Sequence, residues 1–278
     1  MPELPEVETM RRGILSIVGG RVAAAERLPC ARRPITVEPG PAALRKRLVG
    51  RTVVAVDRLG KRVVVRFDSG DSLLFEPRMT GLVLMADPPT IEHLRFRLTL
   101  DDGRTVDYWD RRGLGSVRLL SATQLAERYA QGALGPDALA ISADEFRARL
   151  GNSRRAIKVA LLDQRAVAGI GNLYASEMLF AAKIAPRRRC TGLTSAEWRR
   201  LYEAMRAVLE EAVRCEGSTL GDGTYRNALN QACGYQNHHR VYDREGAACY
   251  DCRTTSIRRI VQAQRSTFYC PTCQTPRR

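Results

Sequence analysis

Four cysteines near the carboxyl end constrain the folding of this chain more than any other feature. Cys249 and Cys252 form one CxxC pair, Cys270 and Cys273 a second, with 17 residues between the pairs. Two such knuckles at this separation bring four thiolates to the corners of a tetrahedron, the closed arrangement of a structural zinc ion. A redox pair is the competing use of a CxxC spacing, and it has no need for two pairs. The intervening segment, Thr254 to Tyr269, is too short to build a core, so a β-hairpin held by the metal is expected. The other four cysteines, Cys30, Cys190, Cys215 and Cys233, are scattered. With no secretion signal visible at the start of the chain, a disulfide framework is not expected, and the cytoplasm is the expected compartment.

The chain has 278 residues, enough for two ordinary domains with real cores, and its 44% hydrophobic content argues against disorder. No apolar run approaches membrane-spanning length. The formal net charge is +15. Folding does not require that excess; its usual use is attraction to polyanions, nucleic acid first. Residues 253–278 hold six arginines and no acid. A cationic hairpin beside a zinc site suits contact with phosphates, whereas Arg277 and Arg278 also suit a solvated tail. Only four of the 45 basic residues are lysines: Lys46, Lys61, Lys158 and Lys183. Arginine cannot replace lysine where a proton must move, which singles these four out.

Hydrophobic spacing divides the chain. Pro5 to Val18 reads as a helix with Val7, Met10, Ile14 and Ile17 on one face and Gly19-Gly20 as its stop. A short helix follows from Pro41 to Leu48. Residues 51–120 read as short strands separated by turns such as Asp68-Ser69-Gly70 and Asp101-Asp102-Gly103, the spacing of an antiparallel sandwich or barrel. Residues 123–216 read as helical, with a capping box at Thr194-Ser195-Ala196-Glu197 and two helices flanking Ala168-Gly169-Ile170-Gly171. The expected fold class is therefore α+β and multidomain. The boundary falls near 121–140, around Gly132 and Gly135-Pro136, and the expected domains are a sandwich at 1–125, a helical domain at 126–235 and a zinc finger at 236–278.

The amino terminus offers two chemistries. Pro2 becomes a secondary amine once Met1 is removed. An α-amino group titrates near ~8, so the amine is a usable nucleophile that can hold a carbon centre as an iminium. Glu3 and Glu6 place carboxylates beside it. The same letters also simply open a helix, with Pro5 and the acids suited to a first turn.

Taken together, these pieces resemble the formamidopyrimidine-DNA glycosylase family, which includes endonuclease VIII. The resemblance runs the length of the chain: Pro2-Glu3-Leu4-Pro5-Glu6-Val7-Glu8-Thr9, Gly60-Lys61-Arg62, Arg78-Met79-Thr80-Gly81, Asp110-Arg111-Arg112-Gly113-Leu114-Gly115, Gly169 to Glu177, and Gln264 to Cys270 with its zinc cysteines. It implies a two-layer β-sandwich with flanking helices, a helix–two-turn–helix domain, a β-hairpin zinc finger, and DNA in the cleft between. The implied partner is double-stranded DNA carrying an oxidised purine or an abasic site, bound by a monomer with one structural zinc and no organic cofactor.

By the same resemblance Pro2 attacks C1′ of a flipped nucleotide, Glu3 is the acid–base carboxylate and Glu6 lies near the same site. Lys61 is the proton donor, and Arg265 clamps phosphate, the safer role for a group that scarcely deprotonates. Met79, Arg112 and Leu114 fill the hole left by the flipped base. His93, Arg154, Lys158 and Asn172 contact phosphates, with Asn172 also suited to cap a helix. Ser218, Thr224 and Tyr225 belong to a glycine-rich loop over the lesion. Three places depart from the family pattern. Leu114 replaces a phenylalanine, Gly113 an arginine, and Glu76-Pro77 a His-Leu pair whose loss removes a phosphate contact. The relaxed triad leaves an endonuclease VIII-like preference for oxidised pyrimidines as the alternative activity. A non-catalytic zinc-finger DNA binder, or a ribosomal-type helix–two-turn–helix protein, would share the charge and the cysteines without needing Pro2, Glu3 and Lys61 together.

Overall fold

A computed structural model describes residues 2–129, 132–219 and 225–275. The chain divides into two compact units, one drawn from 1–130 and 215–236, the other from 131–214 and 237–278. Segment 215–236, which chain order places with the helical domain, thus packs with the sandwich. Its apolar residues Tyr225, Ala228 and Cys233 are buried in the sandwich core.

In the first unit, helix α1 (Leu4–Gly13) begins in a capping box formed by Glu3 and Glu6. Val7, Met10, Ile14 and Ile17 are all buried, as their spacing requires. The helix is shorter than the expected span. It ends at Gly13, and a single 3₁₀ turn (Leu15–Ile17) follows. A Cβ at Gly13 would lie 2.1 Å from the Ala228 Cβ, so glycine is what lets the two segments meet.

Strands β1 (Val22–Arg27), β7 (Leu94–Leu100), β8 (Thr105–Asp110) and β6 (Gly81–Leu84) form one sheet in that order. The second sheet runs β2 (Thr36–Glu38), β9 (Ser116–Leu120), β5 (Ser72–Glu76), β4 (Arg62–Phe67), β3 (Val53–Leu59). Every pairing is antiparallel except β2 with β9. The inward faces, with Val65, Leu73, Phe75, Phe96 and Leu98, share one core with α1. Helix α2 (Pro41–Leu48) buries Leu44 and Leu48, and α3 (Ala122–Tyr129) lies beside β9. Strands β1 and β2 go beyond the sequence reading. The run Val22-Ala23-Ala24-Ala25-Glu26-Arg27 carries little strand propensity, and its pairing to β7 is a distant contact.

In the second unit the helical stretch is broken into α4 (Ala143–Leu150), α5 (Ile157–Leu161), α6 (Asn172–Ala181) and α7 (Ser195–Arg214). The breaks fall at Gly151-Asn152, Gly169–Gly171 and Pro186, where propensity ends helices. The capping box forms: Thr194 N–H donates to Glu197 Oε2 at 2.8 Å and Glu197 N–H to Thr194 Oγ1 at 3.3 Å. Helix α6 is buried from Leu173 to Phe180, including Glu177. The Glu177 carboxylate accepts N–H groups from Arg240, Val241 and Tyr242 at 2.7–3.0 Å, fastening the chain that leads to the hairpin. Burial raises its carboxyl pKa, with those three bonds opposing. The hairpin, β10 (Arg258–Gln262) and β11 (Arg265–Tyr269), stands on a small core of Phe180, Val241, Ile257 and Phe268. Among the described residues no helix is long and apolar enough to cross a membrane.

Candidate active site

Glu3 and Glu6 are 3% and 2% exposed, deeply placed for carboxylates at a chain start. Glu6 explains the arrangement. Its Oε2 accepts the Glu3 N–H at 2.8 Å and its Oε1 accepts the Ser218 N–H at 2.9 Å. One side chain thereby fixes the residue next to Pro2 and ties it to a stretch of chain 212 residues away. Gly217, at φ +87, makes the approach possible, since a Cβ there would meet Glu6 Cγ at 2.9 Å. Tyr225 adds a second tie. Its hydroxyl lies 3.0 Å from the Glu6 carbonyl and 3.1 Å from that of Glu216. Burial, then the Glu6 charge, pushes its phenol well above the usual range, so it stays a neutral donor. Thr219, which the sequence did not single out, donates to the Tyr225 carbonyl at 2.8 Å and accepts the Cys233 N–H at 2.9 Å. Thr224 lies outside the described residues.

Lys61 is half-buried at the turn between β3 and β4, where Gly60 has φ +58. A brace missed in the sequence sets this turn against α1. Glu8 holds Arg58 Nε at 3.1 Å, and Arg58 Nη1 donates to the Gly60 carbonyl at 3.1 Å.

Met79, Arg112 and Leu114 sit on two adjoining turns. Met79 is 38% exposed, Arg112 is exposed and Leu114 half-buried, so the triad presents side chains outward. Asp110, fully buried, braces the turns together. Its Oδ1 accepts from Thr80 Oγ1 at 2.6 Å and from Arg112 N–H at 3.1 Å, and its Oδ2 from Gly115 N–H at 2.8 Å. Gly113 has a steric cause: at φ +62, a Cβ would lie 2.2 Å from the Arg33 carbonyl oxygen. His93 is 8% exposed, its Nε2 3.0 Å from Glu92 Oε1 and its ring edge-on to Trp109.

In the second unit Arg154 is exposed, whereas Lys158 is 1% exposed. Lys158 Nζ donates to Asn172 Oδ1 at 2.7 Å and lies 3.4 Å from Thr267 Oγ1, and Asn172 Nδ2 donates to the Ser266 carbonyl at 2.9 Å. These bonds join α5, the start of α6 and β11. Gly171 occupies the cap position of α6 and Asn172 is its first helical residue, so Asn172 is not the cap. Arg265 is exposed at the first position of β11, just past the turn at Ala263-Gln264.

The four cysteine sulfurs of Cys249, Cys252, Cys270 and Cys273 lie within 4.8 Å of one another, with separations of 3.8 Å (Cys249 to Cys273) and 3.7 Å (Cys252 to Cys270). A tetrahedron with zinc–sulfur bonds of about 2.3 Å has edges of about 3.8 Å, so the donor set fits zinc.

A sandwich led by a carboxylate-anchored chain start, with a separate helical unit bearing a four-thiolate hairpin, defines a multidomain α+β protein of the kind built around nucleic acid. Comparison narrows the class. Residues 1–117 match the formamidopyrimidine-DNA glycosylase N-terminal domain, 134–223 the H2TH domain of the same glycosylases, and 249–276 the zinc finger found in FPG and IleRS. The formamidopyrimidine-DNA glycosylase of Chloroflexus aurantiacus is 40% identical over 276 residues, covering 99% of this chain and 98% of that protein. The crystal structure of MutM (Fpg) from Thermus thermophilus superposes with a TM-score of 0.85 at 37% identity, covering 98% of each chain. That of Lactococcus lactis Fpg bound to DNA containing N7-benzyl-Fapy-dG gives 0.88 at 31% identity, covering 99% of this chain and all of that one. The chain belongs to the formamidopyrimidine-DNA glycosylase family.

Proposed function

We propose that this protein is a bifunctional DNA glycosylase and abasic-site lyase of base-excision repair, acting on oxidised purines such as 8-oxoguanine and formamidopyrimidines. Full-length similarity to glycosylases supports the class of reaction. One observation carries the mechanism: the residue following Pro2 is locked by a buried carboxylate, so an amine at that position starts from a fixed backbone. Fixing the nucleophile removes orientational entropy that would otherwise enter the barrier.

In this mechanism the Pro2 nitrogen bonds to C1′ and the glycosidic bond breaks, the base leaving with the electron pair and a proton. Glu3 takes the proton lost by the Pro2 nitrogen and passes it to O4′ as the C1′–O4′ bond opens, leaving an iminium at C1′. Loss of a proton from C2′ expels the 3′ phosphate, and a second elimination expels the 5′ phosphate. Lys61 supplies or receives protons near the sugar, and Arg265 holds phosphate as a fixed cation. Met79, Arg112 and Leu114 fill the vacated stack, while Arg154, His93 and the α6 amides address phosphates. The buried pair Lys158 and Asn172 holds the hairpin against the helices and adds charge there. One zinc ion held by Cys249, Cys252, Cys270 and Cys273 supplies structure and takes no part in the chemistry. The enzyme acts as a monomer in the cytoplasm without an organic cofactor.

Borohydride trapping on an 8-oxoguanine duplex tests this. Wild type gives a covalent adduct and Pro2→Gly loses most of it, together with most base excision. Full excision by Pro2→Gly would show that another group is the nucleophile. A thymine glycol duplex run in parallel decides between purine and pyrimidine preference.

A further inference from the structure

Glu76 ends β5 immediately before the turn that carries Met79. Its carboxylate is the meeting point of three arginines from three parts of the sandwich. Arg62 Nη2 of β4 lies 3.1 Å and Arg78 Nε of the turn 2.9 Å from Oε1, and Arg118 Nη1 of β9 lies 3.4 Å from Oε2. The cluster is anchored on every side but one. The Glu76 carbonyl accepts the Tyr108 hydroxyl at 2.9 Å, the Arg62 guanidinium stacks 5.1 Å from the Tyr129 ring centre, and Arg118 also holds Glu38 at 2.8 Å. Arg78 is the open side. Its side chain is 62% exposed, against 12% for Glu76, and its backbone sits at φ +51 next to Met79.

We propose that Glu76 is a positioning residue that limits lesion-independent DNA binding: it engages the Arg78 guanidinium, withholds that charge from DNA phosphates and keeps it fixed beside the Met79 turn. This rests on the DNA-glycosylase reading above. A phosphate contact adds affinity for every duplex and carries no information about a lesion. An uncommitted arginine beside the wedge would therefore strengthen binding to undamaged DNA as much as to damaged DNA. Pairing Arg78 with a nearly buried acid suppresses that contribution while leaving Met79 presented. Glutamate at 76 is thus more than a lost phosphate contact, because it also removes a neighbouring cation from competition.

The test is the salt dependence of binding to an undamaged duplex and to the same duplex with a reduced abasic analogue, for wild type, Arg78→Gln, Glu76→Gln, Glu76→Asp and the Arg78→Gln/Glu76→Gln double variant. Arg78→Gln alone leaves the slope of log K against log salt unchanged. Glu76→Gln steepens it by about 1 for both duplexes, as one added phosphate contact would, and raises both affinities while leaving their ratio unchanged. Glu76→Asp keeps the wild-type slope, and the double variant returns to it. A slope flattened by about 1 in Arg78→Gln would place Arg78 already on phosphate and overturn the proposal. This arm alters an exposed side chain, so it stands even if Glu76→Gln fails to fold. Steepening that survives in the double variant would equally overturn it, because the effect would not pass through Arg78. Should wild type show neither a borohydride adduct nor preference for the abasic duplex, the glycosylase reading itself fails, a result separate from any change in slope.

Discussion

Glu8 sets the position of a candidate catalytic side chain without belonging to the site. Its carboxylate accepts Arg11 Nε and Nη2 at 2.9 and 2.8 Å, Arg12 Nε at 2.8 Å and Arg58 Nε at 3.1 Å. Burial alone would raise its carboxyl, but these guanidinium bonds outweigh it and bring the pKa from 4.5 down to about 2. A folded-state value below the unfolded one means the stabilisation is complete above 4.5 and is lost as pH falls toward 2. Glu8→Gln is expected to cost about 1–2 kcal/mol at neutral pH, after allowing for solvent screening. The gap to wild type should close in acid. Denaturant unfolding across that range measures it, and a gap independent of pH would mean that charge is not the cause. The two halves of this brace differ in legibility. Glu8 stands in the amino-terminal motif, with Arg11 and Arg12 at helical spacing. Arg58 is 50 positions away, and nothing in a linear pattern joins it to Glu8. Gly113 is similar: the sequence shows that a side chain is missing, but only the fold shows the Arg33 carbonyl that excludes one.

At the level of elements, legibility follows the range of the interactions. The cysteine hairpin, the α7 capping box and strands β3 to β9 are set by local chemistry or strict periodicity, and all are readable in the sequence. Strand β1 is not, because an alanine-rich run is made a strand by β7 rather than by its own residues. The break at Gly169–Gly171 is readable from its glycines, whereas those at Gly151-Asn152 and Pro186 escape notice because apolar spacing continues past them. The hairpin itself is the sharpest element-level test. Its apolar support is small, so most of its fold must come from metal–thiolate bonds. Removing zinc with a strong chelator should unfold β10 and β11 and release Ser266 and Thr267 from Asn172 and Lys158. Helix α7, with its own buried face, should survive. Hydrogen exchange should then rise in 249–275 while 195–214 stays protected, and DNA affinity should fall sharply. Undiminished affinity after complete zinc loss would show that the finger does not hold DNA.

Across the whole molecule, chain order and spatial order part at residue 215. Helix α7 ends, and the next segment returns to the sandwich, where Glu6 receives it. Domain limits drawn along the sequence cannot show this, since the contact joins residues 212 apart. The consequence is that Glu6, expected near the Pro2 amine, has its oxygens on two backbone amides. Glu6→Gln tests whether it positions or reacts. A carboxamide offers one acceptor oxygen where two N–H groups converge, so either Glu3 or Ser218 would face an NH₂ donor. One buried N–H left unpaired costs about 1–3 kcal/mol, and the melting temperature should fall accordingly. Excision should fall as well, because the backbone beside Pro2 loosens. If Glu6 only positions, the rate drops by the same factor at every pH and hydrogen exchange at 216–219 rises with it. If Glu6 also exchanges protons with substrate, the pH–rate profile changes shape on top of the loss of stability. The amide bonds at 2.8 and 2.9 Å favour the first outcome.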